Sequence, residues 1–274
     1  MLAFITRLFG HPVELVSGVA AKSSEHAANF RSMGQRNVVP VGEFRFDQVI
    51  PQSHIKSGKA ALSLINRRKR PVIGFSSIIF GEADIYINSM KSLKEFSEEK
   101  SIVKPLYVFV PRAPEVFDDL FKNISESGLS VIRRSEGFSE DLQPNASIDW
   151  NNIDVLLGDS FGEMYFYLKL CDNVVAGGGF WHTGAHNIIE QLQLHKPVTV
   201  GPEIWTIKFP AHQAEEAGLL TVVKDPSELK SNLRLMVESN VNDRFSRDKF
   251  AKFLKIYAGA SNRALAMLEN KGLI

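Results

Sequence analysis

The sequence predicts an α/β protein whose parallel sheet is covered by helices on both faces. Three observations carry that prediction. Short apolar runs such as PVIGFSS (71–77), PLYVFVP (105–111), DVLL (154–157), NVVA (173–176) and PVTV (197–200) have the length of strands. They lack the alternation of a half-solvated sheet, as strands buried on two sides do. Between them lie stretches with apolar residues every three or four positions, the spacing of a helix that covers one side of a sheet. The Gly177-Gly178-Gly179 turn then joins one strand to a polar loop, a helix and a further strand, the order of a βαβ unit.

In chain order, VELVSGVA (13–20) reads as a strand, SSEHAANFRSMG as a serine-capped helix ending at Gly34, and NVVPVG (37–42) as a second strand. The segment from Pro51 to Arg70 is polar and reads as a linker with a short helix. Its RRKR run at 67–70 is either a solvated face or a phosphate-binding patch. Strand 71–77 is followed by helix 83–100, strand 105–111, helix 115–128 and strand LSVIRRS (129–135). A polar loop around 137–150 leads to strand 154–157, a helix from Gly162 to Leu170, and strand 173–176. Helix 187–195, strand 197–200, helix 210–217 and strand LLTVV (219–223) complete the alternation, and the remainder is helical. The boundaries expected are a small segment over 1–50, a linker over 51–70 and a large Rossmann-like domain over 71–274.

Composition bounds the function. A chain of 274 residues with 44% hydrophobic and 23% charged residues is an ordinary globular protein, long enough for one large or two small domains. Its net charge of +1 excludes a broad electrostatic footprint for nucleic acid but permits a local anion site. The one cysteine, Cys171, has no internal disulfide partner and reads as a small apolar filler, in keeping with a reducing cytoplasm. No run approaches the 18 to 20 apolar residues of a membrane span. The opening stretch MLAFITRLFGHPVELVSG lacks the marks of a signal peptide and reads either as a buried helix or as an amphipathic element on a membrane or partner. No cluster of metal-ligating side chains stands out, and no cofactor is expected.

In parallel sheets, ligands bind outside the carboxyl ends of the strands. There the sequence places Pro111-Arg112-Ala113-Pro114-Glu115, then Gly158-Asp159-Ser160-Phe161-Gly162-Glu163, then the glycine turn with Gly184, His186, Asn187 and Glu190 beyond it. Glycines permit close backbone approach, the free amides of a helix's first turn favour an anion, and an arginine fork suits phosphate or carboxylate. A carboxylate can accept both hydroxyls of a ribose. The set converges on a sugar nucleotide or a similar anionic, polyhydroxylated ligand. Each residue also has a plainer reading. Arg112 pairs with Glu115; Asp159 or Ser160 caps a helix; Glu163 forms a capping box with Ser160; His186 packs, caps, or bonds to Glu190 one turn on; Trp181 and His182 are exposed loop tips.

These residues lie in motifs that resemble the C-terminal part of the 3-deoxy-D-manno-octulosonic acid (Kdo) transferases. The matching pieces are VGEFRFD (41–47), VPRAPEVF (110–117), IRRS (132–135), LLGDSFGE (156–163), GGGF…TGAHNIIE (177–190) and KPVTVGPEIW (196–205). The resemblance spans nearly the whole chain. It implies the GT-B architecture of two Rossmann-like domains, with residues 1–50 the remnant of an N-terminal domain and the rest a nucleotide-sugar-binding domain. It further implies transfer of Kdo from CMP-Kdo to a lipid A precursor in lipopolysaccharide biosynthesis, at or near the cytoplasmic face of the inner membrane, without a metal. By that resemblance Arg112 meets the CMP phosphate or the sugar carboxylate, and Pro111 and Glu163 belong to the same CMP-sugar site. The backbone at Phe161 and Gly162 borders the cytosine, Gly184, His186 and Asn187 face the phosphate, and Glu190 binds the ribose. The chain departs from the family pattern at Ala113 and Val116, where a histidine and an arginine are replaced. It departs again at Ser76–Glu82, which has one extra residue and no histidine, and at Ala185 and Gln191. The acceptor surface and a glutamate base of the family are not found, so a separate polypeptide supplying them, a truncated gene, and a non-catalytic binding module all stand as readings. So does a transferase using another nucleotide sugar for surface polysaccharide.

Overall fold

The computed structural model describes residues 11–66, 68–238, 247–272 and 274. The first ten residues of the apolar opening stretch, Arg67 of the basic run, and residues 239–246 at the junction of the last helices lie outside the described residues. Two compact units divide the chain, one comprising the segment up to Val49 together with Lys252 onward, the other Ile50–Ala251.

The larger unit holds a seven-stranded sheet, parallel throughout. Its strands are β3 (Val72–Ile78), β4 (Leu106–Pro111), β5 (Val131–Arg133), β6 (Val155–Leu157), β7 (Asn173–Ala176), β8 (Val198–Val200) and β9 (Leu220–Val222), in spatial order β5-β6-β4-β3-β7-β8-β9. The unbroken apolar runs follow from the two-residue period of a strand covered on both faces. Ile73, Phe75, Tyr107, Phe109, Val155 and Leu157 join one core with Tyr86 and Met90 of helix Ala83–Glu99. Their alternates Val72, Leu106, Val108 and Leu156 join the other, with Phe166 and Leu170 of helix Met164–Leu170. Chain continuation from β3 runs toward β4, and from β7 toward β8. The gap between β3 and β7 is therefore the topological switch point, the place where such sheets hold ligands.

Two expectations for the larger unit are corrected. Residues 52–65 form a 14-residue helix, Gln52–Ile65, that packs on helix Met164–Leu170 through buried Gly58, Ala61 and Ile65, spaced three and four apart. Polar residues on its outer face disguised it as linker. Arg70, read as part of a solvated or phosphate-binding run, is only 3% exposed, and its guanidinium donates to the carbonyls of Ile153 (2.7 Å) and Trp150 (3.0 Å).

The smaller unit contains β1 (Val19–Ala21) and β2 (Val38–Pro40), a parallel pair joined by helix Ser24–Ser32, which Ser23 caps. The expected strand over 13–20 shrinks to three residues because Pro12–Leu15 is a 3-10 turn. There His11 Nδ1 accepts from Val13 N (3.2 Å) and Glu14 accepts from His11 N (2.8 Å). Helix Ala260–Glu269 groups with this unit, where the sequence reading had assigned it to the large domain. Asp47 explains the grouping: its carboxylate accepts from Gly259 N (2.5 Å) and Ser261 N (2.6 Å), while Phe46 stacks on Tyr257. Among the described residues no helix is long and apolar enough to cross a membrane.

Candidate functional site

At the carboxyl edge of β3, β4 and β6 lies an open cleft of about 300 Å³, lined by Ser77, Pro111, Arg112, Ser160, Phe161, Gly162, Glu163 and Tyr167 among others. Five of the residues named from the sequence thus meet: Pro111, Arg112, Phe161, Gly162 and Glu163. Arg112 is exposed, its backbone amide bonds to Ile78 O (2.9 Å), and its guanidinium makes no ion pair among the described residues. The pairing with Glu115 does not form. A fixed backbone carrying an uncommitted arginine is what an anion site requires. Phe161 is 66% exposed beside Phe117, whose ring centroid is 6.3 Å away. Gly162, at φ 77°, holds a left-handed turn that a side chain would strain.

Glu163 is already engaged, accepting from Arg134 (2.6 Å) and Ser160 Oγ (2.5 Å), and the same Ser160 hydroxyl meets Tyr167 Oη. It shapes the cleft wall rather than offering a free carboxylate. Asp159 does not cap the following helix. Its carboxylate accepts from Ser135 N (2.9 Å) and Ser135 Oγ, fastening the IRRS turn to the end of β6.

Gly184, His186, Asn187 and Glu190 lie outside the lining of this cleft. The helix expected over 187–195 is five residues, Ile189–Gln193, so His186 precedes it and cannot bond Glu190 across a helical turn. The amides of Gly184, Ala185 and His186 are taken by the carbonyls of Trp181, Glu203 and Gly177. The Asn187 side chain accepts from Ile189 N at 3.1 Å, closing a local turn just before the short helix. The open glycine turn expected from the sequence is likewise closed. A Cβ at Gly177 would stand 2.5 Å from Ser77 O, and one at Gly179 2.5 Å from Gly201 N. These glycines exist so that backbones can touch. Glu82, fully buried, fills the concavity instead: its carboxylate accepts from Gly178 N, from Phe180 N (3.3 Å) and from Tyr86 Oη (3.0 Å). Sequence reasoning missed Glu82, although the Gly81-Glu82 pair after a strand was its signal.

His186 remains the electrostatic link between the two groups. Burial, then the neighbouring Arg112 charge, lower its pKa to about 4, so the ring is neutral at ordinary pH. Its Nε2 is buried and without a hydrogen-bond partner. Glu190 stands near Tyr165, whose hydroxyl donates to Gln193 (2.6 Å) and is pushed up to about 12 by burial and then by the Glu190 charge. Gln191, fully buried where the family pattern has proline, donates to Ser76 Oγ at 2.9 Å and ties the short helix to β3.

Among solved structures, the C-terminal CMP-Kdo binding domain of WaaA from Acinetobacter baumannii superposes with a TM-score of 0.62 at 21% identity, covering 76% of this chain and 100% of that one. Anabaena Alr3699/HepE in complex with UDP-glucose gives 0.52 at 15% identity, covering 100% of this chain and 67% of that one. The sheet order and these likenesses define the Rossmann-like fold of GT-B glycosyltransferases. No family model matches the chain. A 3-deoxy-D-manno-octulosonic acid transferase from Bordetella pertussis is 31% identical over 253 residues, 92% of this chain and 56% of the relative. One from Haemophilus influenzae is 29% identical over 216 residues, 76% of this chain and 46% of the relative. By sequence the chain belongs to the Kdo transferase family, and it spans about half the length of these relatives.

Proposed function

We propose that the larger unit binds the CMP moiety of CMP-Kdo or a related nucleotide sugar. On this reading the chain is the donor-binding part of a glycosyltransferase that transfers Kdo to a lipid A precursor in lipopolysaccharide biosynthesis. The observation that carries the reading is the uncommitted Arg112 guanidinium, held at the same cleft as Phe161, Gly162 and Glu163 beside the sheet's switch point. The sequence relationship to Kdo transferases supports Kdo as the sugar. Arg112 would neutralise the phosphate, and Phe161 would offer an aromatic edge to the base. Gly184, His186 and Asn187 would border the phosphate from the other strand, with Glu190 at the ribose.

The reaction so assigned breaks the bond between the Kdo anomeric carbon and the CMP phosphate as an acceptor hydroxyl attacks. Positive charge fixed beside the leaving phosphate stabilises what builds up there in the transition state. An acceptor site and a base, in a further segment or a partner polypeptide on this reading, would complete the transfer, and work on a lipid acceptor would bring the protein to the inner membrane's cytoplasmic face. Titration calorimetry with CMP, CDP and UDP tests the donor site. CMP should bind, and Arg112→Ala and Glu190→Ala should each weaken it by about 1.5 to 3 kcal/mol without unfolding the protein. Unchanged affinity in both variants sinks the assignment. Preference for UDP points to another nucleotide sugar, and binding without turnover in the presence of acceptor and partner points to a non-catalytic module.

A further inference from the structure

We infer that Ser77 is a ligand-contacting residue, whose hydroxyl is carried into the cleft by a bulge in the central strand and donates to the anionic group that Arg112 attracts. The inference rests on the reading above, that the cleft takes a nucleotide phosphate. Four observations lead to it. In the β3–β4 register Ser76 pairs with Val110 and Ile78 with Pro111, so Ser77 is the unpaired residue of a bulge, the device by which strands re-aim one side chain. Its φ of 57° lies in the left-handed region that a serine adopts only under constraint from its surroundings. Those surroundings are rigid: Gly177 packs its backbone on Ser77 O, and the Arg112 amide bonds to Ile78 O at 2.9 Å. Finally, Ser77 lines the cleft with Arg112 and has no hydrogen-bond partner for its hydroxyl among the described residues, while Ser76 beside it is bonded by Gln191.

A purely structural bulge in this place would be better served by glycine, which adopts the left-handed region freely. Serine keeps the unfavourable backbone and adds one hydroxyl, a donor on a residue that lines the cleft. That placement has a use only if something in the cleft accepts from it. A phosphate or carboxylate oxygen drawn in by Arg112 is the acceptor the site chemistry supplies.

The test compares CMP with cytidine, which has no phosphate, by calorimetry on wild type, Ser77→Ala and Ser77→Gly. Both variants should bind CMP about tenfold more weakly and cytidine as wild type does. Ser77→Gly should unfold at a temperature equal to or above wild type, so its lost affinity is not a folding defect. Variants that match wild type for CMP overturn the Ser77 contact and leave the nucleotide reading standing. Variants that lose CMP and cytidine alike overturn it too, because the bulge then shapes the cleft without touching the phosphate. A wild-type protein that binds neither compound removes the nucleotide reading itself, and the Ser77 contact with it.

Discussion

The Glu82 carboxylate accepts from Gly178 N, Phe180 N and Tyr86 Oη inside a site with no solvent access, so its removal strands buried donors. Each unsatisfied buried donor costs about 1 to 3 kcal/mol, and Glu82→Ala is expected to lose about 3 kcal/mol or more in urea unfolding. A loss under about 1 kcal/mol would mean the turn holds itself. Burial raises the Glu82 pKa, and the bonds from the Gly178 and Phe180 amides and the Tyr86 hydroxyl oppose that rise. His186 gives the opposite case. Its folded-state pKa of about 4 lies below the unfolded value, so its contribution to stability is complete above pH 6.5 and is lost as pH falls from there toward 4. Imidazole resonances should therefore titrate near 4, and Arg112→Ala should move that midpoint upward by removing a repelling charge. A His186 ring titrating near 6.5 in the wild type would dissolve the electrostatic link between the two halves of the site.

At the scale of elements, the Gly177–Gly179 turn separates two explanations of the same residues. As a ligand cradle it would tolerate a methyl group with only a loss of binding. As a backbone junction it would not: a Cβ at Gly177 meets Ser77 O at 2.5 Å, and one at Gly178 meets Gly184 O with φ at 85°. Gly177→Ala and Gly178→Ala should each cost about 2 to 3 kcal/mol in chemical denaturation, against about 1 for Gly162→Ala, where only the left-handed φ of 77° is strained and nothing lies within 4 Å. Equal costs at all three would refute the junction. The strands of the larger unit were readable because burial on two faces makes most of them apolar runs, and β4 holds Leu106 through Pro111 all buried. Helix Gln52–Ile65 was obscured because it buries only Gly58, Ala61 and Ile65. In the site, Arg112 and Phe161 were legible from position alone, at strand ends. Whether an amide is free is a tertiary fact. The bonds from Ala185 N to Glu203 O and from Gly178 N to Glu82 join residues 18 and 96 apart, and no local pattern announces them. The bulge at Ser77 was hidden for the same reason, since a register exists only between two strands.

For the whole molecule, the nine residues assigned to the ligand and Ser77 all fall within Ile50–Ala251, the unit that carries the full seven-stranded sheet and both large cores. That unit therefore contains both the site and the structure that holds it. Its central strands are β3, β4 and β7, whose carboxyl ends present Ser77, Arg112 and the glycine turn. A ligand touching several strand ends at once is linked to the opening of the sheet itself, because it binds the folded unit and not the unfolded chain. With CMP at a hundred times its dissociation constant, the gain should be about 2.7 kcal/mol. The amides of Phe75, Phe109 and Val175 lie in the middle of those strands, buried from solvent, and exchange through the largest opening of the unit. Saturating CMP should slow their hydrogen exchange about a hundredfold. Slowing confined to loop amides near 161–163, with those three unchanged, would mean that the nucleotide rests on the cleft's rim without engaging the strand ends from which the site is built.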